Sequence, residues 1–125
     1  MKYPRILLMA GLVALFAFPP SVHALSVNKL VVIKMSGDRG WSVDCTFQRE
    51  GDDPIEKSAR GRGRVVTFAV EKVTGGSCDY VGPSRRGELK ISFTDENRPS
   101  YCPLAQEAGL CVTRAGVGET GSFDF

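Results

Sequence analysis

Short runs in which apolar and polar residues alternate dominate the chain beyond residue 25, and turn-forming residues separate these runs. Over residues 41–48 every second residue is apolar or a cysteine, which is the period of a half-buried β-strand. Further strands are predicted over residues 30–35, 64–73, 78–81, 88–94, 110–114 and 121–125. No segment of this region keeps a helical period over three turns. About seven short strands predict an all-β fold, a small antiparallel β-sandwich, with a barrel as the alternative.

Polar or glycine-rich segments separate these runs. Residues 50–60 contain Pro54 and are expected to form a loop or a weak edge strand. Residues 74–77 and 82–87 are predicted turns, because glycine and proline favour turn conformations. Residues 103–109 leave room for one helical turn, which would not alter the fold class.

The first 24 residues predict a cleavable export signal. Lys2 and Arg5 form a basic start, an apolar run of about 13 residues follows, and Ala24 offers a small residue at the cleavage site. A membrane-spanning helix needs roughly 20 apolar residues, so a retained anchor is the less favoured interpretation. We therefore expect a signal peptide over residues 1–24 and one secreted domain over residues 25–125. The domain would be extracellular, or periplasmic in a Gram-negative bacterium.

All four cysteines lie in the exported part. In a small exported domain they predict two disulfides, for which three pairings exist. We favour Cys45–Cys78 with Cys102–Cys111, although the sequence leaves the other pairings open. A zinc site is disfavoured because no two cysteines have the close spacing of a zinc knuckle. No metal and no cofactor are expected.

Charge balance and the single histidine bear on the class of function. The chain has 16 basic and 14 acidic residues, and loss of Lys2 and Arg5 with the signal leaves 14 of each. Such a neutral domain is not expected to bind nucleic acid. The only histidine, His23, is lost as well, and with it the commonest general acid–base group. We therefore expect a protein that is not an enzyme and has no catalytic residues.

Two adjacent pairs of acidic residues, Asp52–Asp53 and Asp95–Glu96, are the remaining candidates for catalysis. Neighbouring side chains point to opposite faces of a strand, and in a loop both are solvated. A small hydrolase that uses carboxylates is therefore a minor alternative.

Arginine at every second position makes residues 60–64 the sharpest charge feature of the domain. One interpretation is a patch that binds phosphate, a sulfated sugar or the acidic surface of a partner. The other is a solvated approach to a hairpin, neutralised by acidic residues just upstream. Arg85 and Arg86 admit a dibasic protease site, although an exposed turn is favoured.

Aromatic residues are assigned mainly to the core. Trp41 lies on the apolar face of an alternating run, so a core position is favoured over a ligand-stacking one. Phe123 and Phe125 are expected to close the core in a final strand, with an exposed docking tail as the alternative.

The strands and cysteines together form a pattern that covers nearly the whole exported domain. It comprises two opening strands, an acidic pair, an aromatic strand before the second cysteine, and a closing cysteine pair with terminal phenylalanines. These parts lie at residues 29–33 and 41–45, 52–53, 61–78 and 102–125. The pattern resembles the plant self-incompatibility S-protein family and its S-protein homologues. The resemblance implies a β-sandwich with two disulfides that acts as an extracellular protein signal through its loops.

The expected function is therefore that of a secreted, non-enzymatic protein, an S-protein-like signalling ligand or a secreted effector. We expect a monomer that binds a protein receptor or another extracellular macromolecule through exposed loops. The candidate contact residues are Asp52, Asp53, Arg60, Arg62, Arg85, Arg86, Glu96 and Arg98. A secreted inhibitor or carbohydrate-binding module is the alternative, and it would expose an aromatic platform at Trp41 and Tyr80.

Overall fold

The computed structural model describes residues 29–125. In this part of the chain the alternation of apolar and polar side chains corresponds to nine β-strands. The signal peptide predicted over residues 1–24 lies outside this part. The strands are β1 Val31–Gly37, β2 Ser42–Arg49, β3 Asp52–Arg60, β4 Val66–Val70, β5 Val73–Val81, β6 Glu88–Asp95, β7 Gln106–Glu107, β8 Leu110–Gly116 and β9 Thr120–Asp124.

These strands form two antiparallel sheets that make a β-sandwich, which confirms the predicted fold class. One sheet has the strand order β4-β1-β6-β8-β7, and the other has the order β3-β2-β5-β9. The chain therefore crosses from one sheet to the other after β1, β3, β4, β5 and β8.

The core lies between the two sheets and is built from the apolar face of each strand. Along β2 burial follows the predicted alternation, because Val43, Cys45 and Phe47 are buried while their polar neighbours are more exposed. The rings of Phe47 and Phe93 both contact that of Phe125, at centroid distances of 5.5 and 5.3 Å. Full burial of a phenyl ring such as that of Phe47 stabilises the fold by about 1.5–3 kcal/mol.

The C-terminal residues close this core, as predicted. Phe123 is buried, and its ring contacts that of Phe93 at a centroid distance of 6.5 Å. Phe125 and Gly76 exchange two backbone hydrogen bonds, of 2.9 and 3.0 Å. The final strand is therefore fixed to β5 beyond its last assigned residue.

Two disulfides brace the sandwich in the pairing favoured from the sequence. Cys45–Cys78 joins β2 to β5, where the two residues are register partners with their Cα atoms 4.0 Å apart. Cys102–Cys111 ties the chain before β7 to β8, with a Cα–Cα distance of 5.5 Å. One bridge lies in the core and the other holds a surface loop.

The predicted turn at residues 74–77 is wrong, because this segment lies inside β5. The chain reverses earlier, at Glu71 and Lys72, and Lys72 has a positive φ of 66°. The strand predicted over residues 64–73 accordingly shortens to β4. Gly76 serves close packing instead of a turn, since a Cβ there would come within 2.6 Å of the Phe125 ring. A glycine required by a distant side chain has the same local signature as a turn glycine.

Residues 50–60, predicted as a loop or a weak edge strand, form the nine-residue strand β3 at the edge of its sheet. The register with β2 shifts between Phe47 and Arg49, and Pro54 lies in the stretch of β3 opposite this irregularity. Proline is tolerated there because an edge strand at a bulge needs fewer backbone donors.

The helical turn considered for residues 103–109 is not formed. Instead β7 and β8 make a hairpin whose two-residue turn consists of Ala108 and Gly109. Both turn residues have positive φ, 52° and 81°, as the tightest hairpin turns require.

Candidate functional site

Four of the five crossings between the sheets lie at one end of the sandwich, at residues 38–41, 61–65, 82–87 and 117–119. Strand register places them together, because Ser42 lies opposite both Arg60 and Val81, and Val81 lies opposite Thr120. We call these four loops the arginine end. The opposite end consists of residues 29–30, 50–51, 71–72 and 96–105.

The eight candidate contact residues divide equally between the two ends. Four belong to or adjoin the arginine end: Arg60, Arg62, Arg85 and Arg86. Four belong to or adjoin the opposite end: Asp52, Asp53, Glu96 and Arg98. The two groups therefore form separate surfaces.

Five exposed arginines lie on three loops of the arginine end, and within residues 29–125 none has a carboxylate within 4.0 Å. These residues are Arg39, Arg62, Arg64, Arg85 and Arg86. Sequence reasoning singled out all of them except Arg39, although Arg64 was noted only as part of the charge motif. Arg39 stands alone in its turn, so no local pattern marks it.

Every arginine of residues 29–125 that lies outside this group has an acidic partner. Arg60 is 3.2 Å from Asp44, and the carboxylate of Asp44 also accepts a hydrogen bond of 2.6 Å from Ser58. The remaining pairs are Arg49–Asp52 at 3.7 Å, Arg98–Asp95 at 3.1 Å and Arg114–Glu107 at 3.0 Å. Among residues 29–125, the arginines without an acidic partner are thus concentrated at the arginine end, whereas the lysines without one, Lys34, Lys57 and Lys90, are spread over three strands.

A cleft of about 880 Å³ opens among the loops of the arginine end. Arg39, Arg85 and Arg86 line it, together with Asp38, Ser84 and two glycines. One of these glycines, Gly63, is flanked by the other two arginines of the group, Arg62 and Arg64. The volume of the cleft lies within the range of sites that hold small ligands.

Close backbone contacts hold the loops of this cleft together. A Cβ on Gly87 would collide with the carboxylate of Asp38, and one on Gly40 would collide with the side chain of Ser84. Loop 38–41 therefore rests on loop 82–87. The amide of Gly40 also donates a hydrogen bond of 3.2 Å to the carbonyl of Gly61, which ties in the third loop.

The fourth loop is fixed in the same way. The amide of Gly118 donates to the carbonyl of Pro83 at 3.0 Å, and the amide of Gly82 donates to the carbonyl of Glu119 at 2.8 Å. A surface built on such tied loops loses little conformational freedom when it binds a partner.

Trp41 is the last residue of loop 38–41, and its side chain lies in the core. Its side chain is fully buried, and Nε1 has no hydrogen-bond partner among the described residues. Tyr80 is partly buried, with its ring against Gly121 and 6.3 Å from the ring of Phe123. The aromatic platform expected at Trp41 and Tyr80 for a carbohydrate-binding module is therefore not formed by these two side chains.

Several charges at the opposite end are paired with one another. Asp52 lies 3.3 Å from Lys72, and Glu50 pairs with Lys29, which holds the pKa of the Glu50 carboxyl below its usual value. Arg98 pairs with the buried carboxylate of Asp95. These paired charges organise their own loops, whereas the carboxylates of Asp53 and Glu96 have no basic partner within 4.0 Å among residues 29–125.

Arg98 is fixed on a second side as well. Its guanidinium lies 3.9 Å from the centre of the Tyr101 ring, a cation–π contact. A smaller cleft of about 500 Å³ adjoins this contact, next to the Cys102–Cys111 disulfide, and sequence reasoning did not predict it. Its one local sign is the exposed Leu110 after the β7–β8 turn.

Comparison of the chain with protein-family models, curated proteins and solved structures finds no match. The resemblance to the S-protein family therefore stays a prediction. Over residues 29–125 no helix is long and apolar enough to cross a membrane. The same residues contain no cluster of three or more His, Cys, Asp or Glu side chains placed to hold a metal ion.

Proposed function

We propose that this chain is a secreted, non-enzymatic binding protein that engages another macromolecule through the arginine end. The observation that carries the proposal is the division of the arginines. Five lie without a carboxylate partner at the arginine end, where three of them line the cleft, whereas the other four of residues 29–125 are all paired. Exposed arginines gathered in one place repel one another, and an anionic partner removes that repulsion.

The scaffold supports this proposal. The tied loops hold the arginine end in a fixed shape, which suits loop display, and the Cys45–Cys78 disulfide joins β2 to β5, two of the strands that carry these loops. The role we propose is that of an extracellular ligand or effector, which is also what the resemblance to the S-protein family implies.

At the opposite end, in contrast to the arginine end, two of the candidate contact residues have ionic partners. Asp52 and Arg98 are both engaged in ion pairs there, and the Arg98 guanidinium also lies over Tyr101. Arg60 is paired with Asp44, and Asp53 and Glu96 lie at the opposite end, away from the cleft. Of the eight candidate contact residues we therefore assign the partner surface to Arg62, Arg85 and Arg86, and we add Arg39 and Arg64.

A capture experiment tests the proposal. The full chain is expressed with its export segment, and the exported protein is immobilised and exposed to the extracellular fraction of the organism that produces it. The test variant carries Arg39→Ala, Arg85→Ala and Arg86→Ala. The matched control carries Lys34→Ala, Lys57→Ala and Lys90→Ala, which removes the same charge from the strands instead of the cleft.

We expect the wild-type protein and the lysine control to retain a partner that the arginine variant loses. Retention by all three proteins would overturn the assignment to the arginine end. Equal loss from both variants would show that net charge alone drives capture, and would overturn it as well.

A further inference from the structure

Exposed aliphatic side chains gather at the same end as the unpaired arginines. Among residues 29–125 four large hydrophobic side chains are exposed, and Val65, Val81 and Val117 belong to or adjoin the arginine end. Their exposed fractions are 63%, 38% and 48%. The fourth, Leu110, lies in the β7–β8 hairpin away from this end.

The basic residues of the arginine end are all arginines. Its four loops contain five arginines and no lysine, although lysines occur on β1, β3 and β6. Arginine offers a planar set of donors that binds a carboxylate through two parallel hydrogen bonds, whereas lysine acts as a point charge. Protein interfaces are likewise enriched in arginine and depleted of lysine.

We propose that the partner of the arginine end is an acidic protein segment in which carboxylate and aliphatic side chains occur together. This inference rests on the function proposed above and names its partner class. The arginines bind the carboxylates, and the exposed valines of the same end cover the aliphatic groups. A sulfated glycan has the negative charge but offers nothing for the valines to bury, so it matches only half of the surface.

The fixed loops make this pairing geometrically selective. Arg85 and Arg86 lie on a loop that is bonded through Pro83 to the turn bearing Val117. Val65 directly follows Arg64 on another loop of the same end. Arginine and valine side chains are therefore presented together on loop 61–65 and on the bonded pair of loops 82–87 and 117–119. A segment that satisfies both must itself contain charged and aliphatic groups.

Three probes separate the possible partners in a binding titration with the exported protein. The first is a synthetic peptide of alternating glutamate and valine. The second is the same peptide with serine in place of valine, and the third is heparin as a polysulfated glycan. We expect the glutamate–valine peptide to bind about tenfold more tightly than the glutamate–serine peptide, since burial of several methyl groups is lost.

Protein variants give the complementary test. Arg39→Lys with Arg85→Lys and Arg86→Lys keeps the charge but removes the planar donors, and we expect it to weaken binding of the glutamate–valine peptide about tenfold or more. Val65→Ser with Val117→Ser is expected to weaken it about tenfold. Leu110→Ser is the matched control and is expected to leave binding unchanged. Unaltered fluorescence of Trp41 confirms that each variant is folded.

Several outcomes would overturn the inference. These are heparin binding that survives both the lysine and the serine variants, equal affinity for the two peptides, or no binding of the glutamate–valine peptide. None of these outcomes tests the proposed function, binding of a macromolecule through the arginine end. That function is tested separately, by the loss of partner capture in the triple alanine variant.

Discussion

Gly61 lies with its backbone against the indole ring of Trp41, so that a Cβ on Gly61 would come within 2.5 Å of Nε1 and 2.7 Å of Cγ. The amide of Gly61 also donates a hydrogen bond of 2.8 Å to the carbonyl of Trp41. The arginine-rich segment of residues 60–64 is therefore anchored to the core at its second residue. Arg62 and Arg64 extend from a backbone whose position is fixed by the buried tryptophan.

We expect Gly61→Ala to destabilise the domain by about 1–3 kcal/mol, because the added methyl group must displace a ring that has no free space. The control is Gly63→Ala, which places a side chain at a φ of 83° with nothing within 4 Å, so only backbone strain of about 1 kcal/mol is added. Urea unfolding measures both changes. Trp41 is the only tryptophan, so its emission should shift for Gly61→Ala alone. Identical spectra for the two variants would contradict the contact.

Loss of the core disulfide should cost more stability than loss of the surface one. Cys45 and Cys78 are 33 residues apart, and Cys102 and Cys111 are nine apart. In the chain-entropy description, closing these loops stabilises the folded state by about 4 and about 3 kcal/mol. Replacement of each pair by alanine, followed by denaturant unfolding, tests the order. The gap should exceed the difference in loop entropy, since Cys45 and Cys78 are also buried in the core.

The sequence was sufficient to predict the strands whose two faces differ. Over β2 and over residues 88–94 of β6 the alternation assigns the buried side chains correctly, because one face of the strand packs and the other is solvated. Asp95 was assigned to a polar loop, and it is instead the buried last residue of β6. The prediction of a turn at Gly75 and Gly76 was wrong, because both residues lie inside β5. Their lack of side chains makes room for Phe125, which is 49 residues further along the chain. Such a requirement depends on the tertiary fold and leaves no local signal.

The candidate surface was predictable only in part. Arg62, Arg85 and Arg86 were found from local charge density, but Arg39 joins them through the crossing of β1 to β2. Asp52 and Arg98 look equally exposed in the sequence, yet each has an ionic partner at the opposite end. Whether a surface charge is free depends on which loops the topology brings together.

The β7–β8 turn offers a stabilising substitution. Ala108 has a φ of 52°, a conformation that alanine rarely adopts, and it precedes Gly109 in a two-residue hairpin turn. Ala108→Asn creates the Asn-Gly sequence preferred there, and we expect a gain of about 0.5–1 kcal/mol. Thermal unfolding compares it with Ala105→Asn, a nearby exposed position without positive φ that should gain nothing. A loss of stability in Ala108→Asn would contradict the turn geometry.

Stability should depend on pH through Asp44. The hydrogen bond from Ser58 is the main cause that lowers the pKa of the Asp44 carboxyl, partial desolvation opposes it, and the guanidinium of Arg60 lowers the pKa further. A carboxyl whose pKa is lowered by folding stabilises the folded state above its unfolded pKa of about 3.9. This contribution is lost as the pH falls through the lower folded value.

We therefore expect Ser58→Ala to raise the pKa of Asp44 toward its ordinary value, as followed by NMR titration of the side-chain carboxyl. At neutral pH the variant should lose less than about 1 kcal/mol, because Asp44 is half exposed and solvent screens the interaction. The difference from wild type should shrink as the pH falls through the lowered pKa of Asp44 in the folded wild type, because below that pH Asp44 is protonated in both proteins. Ser77→Ala, at another exposed strand position, is the control and should leave the titration of Asp44 unchanged. An unchanged Asp44 titration in Ser58→Ala would refute the role given to the hydroxyl.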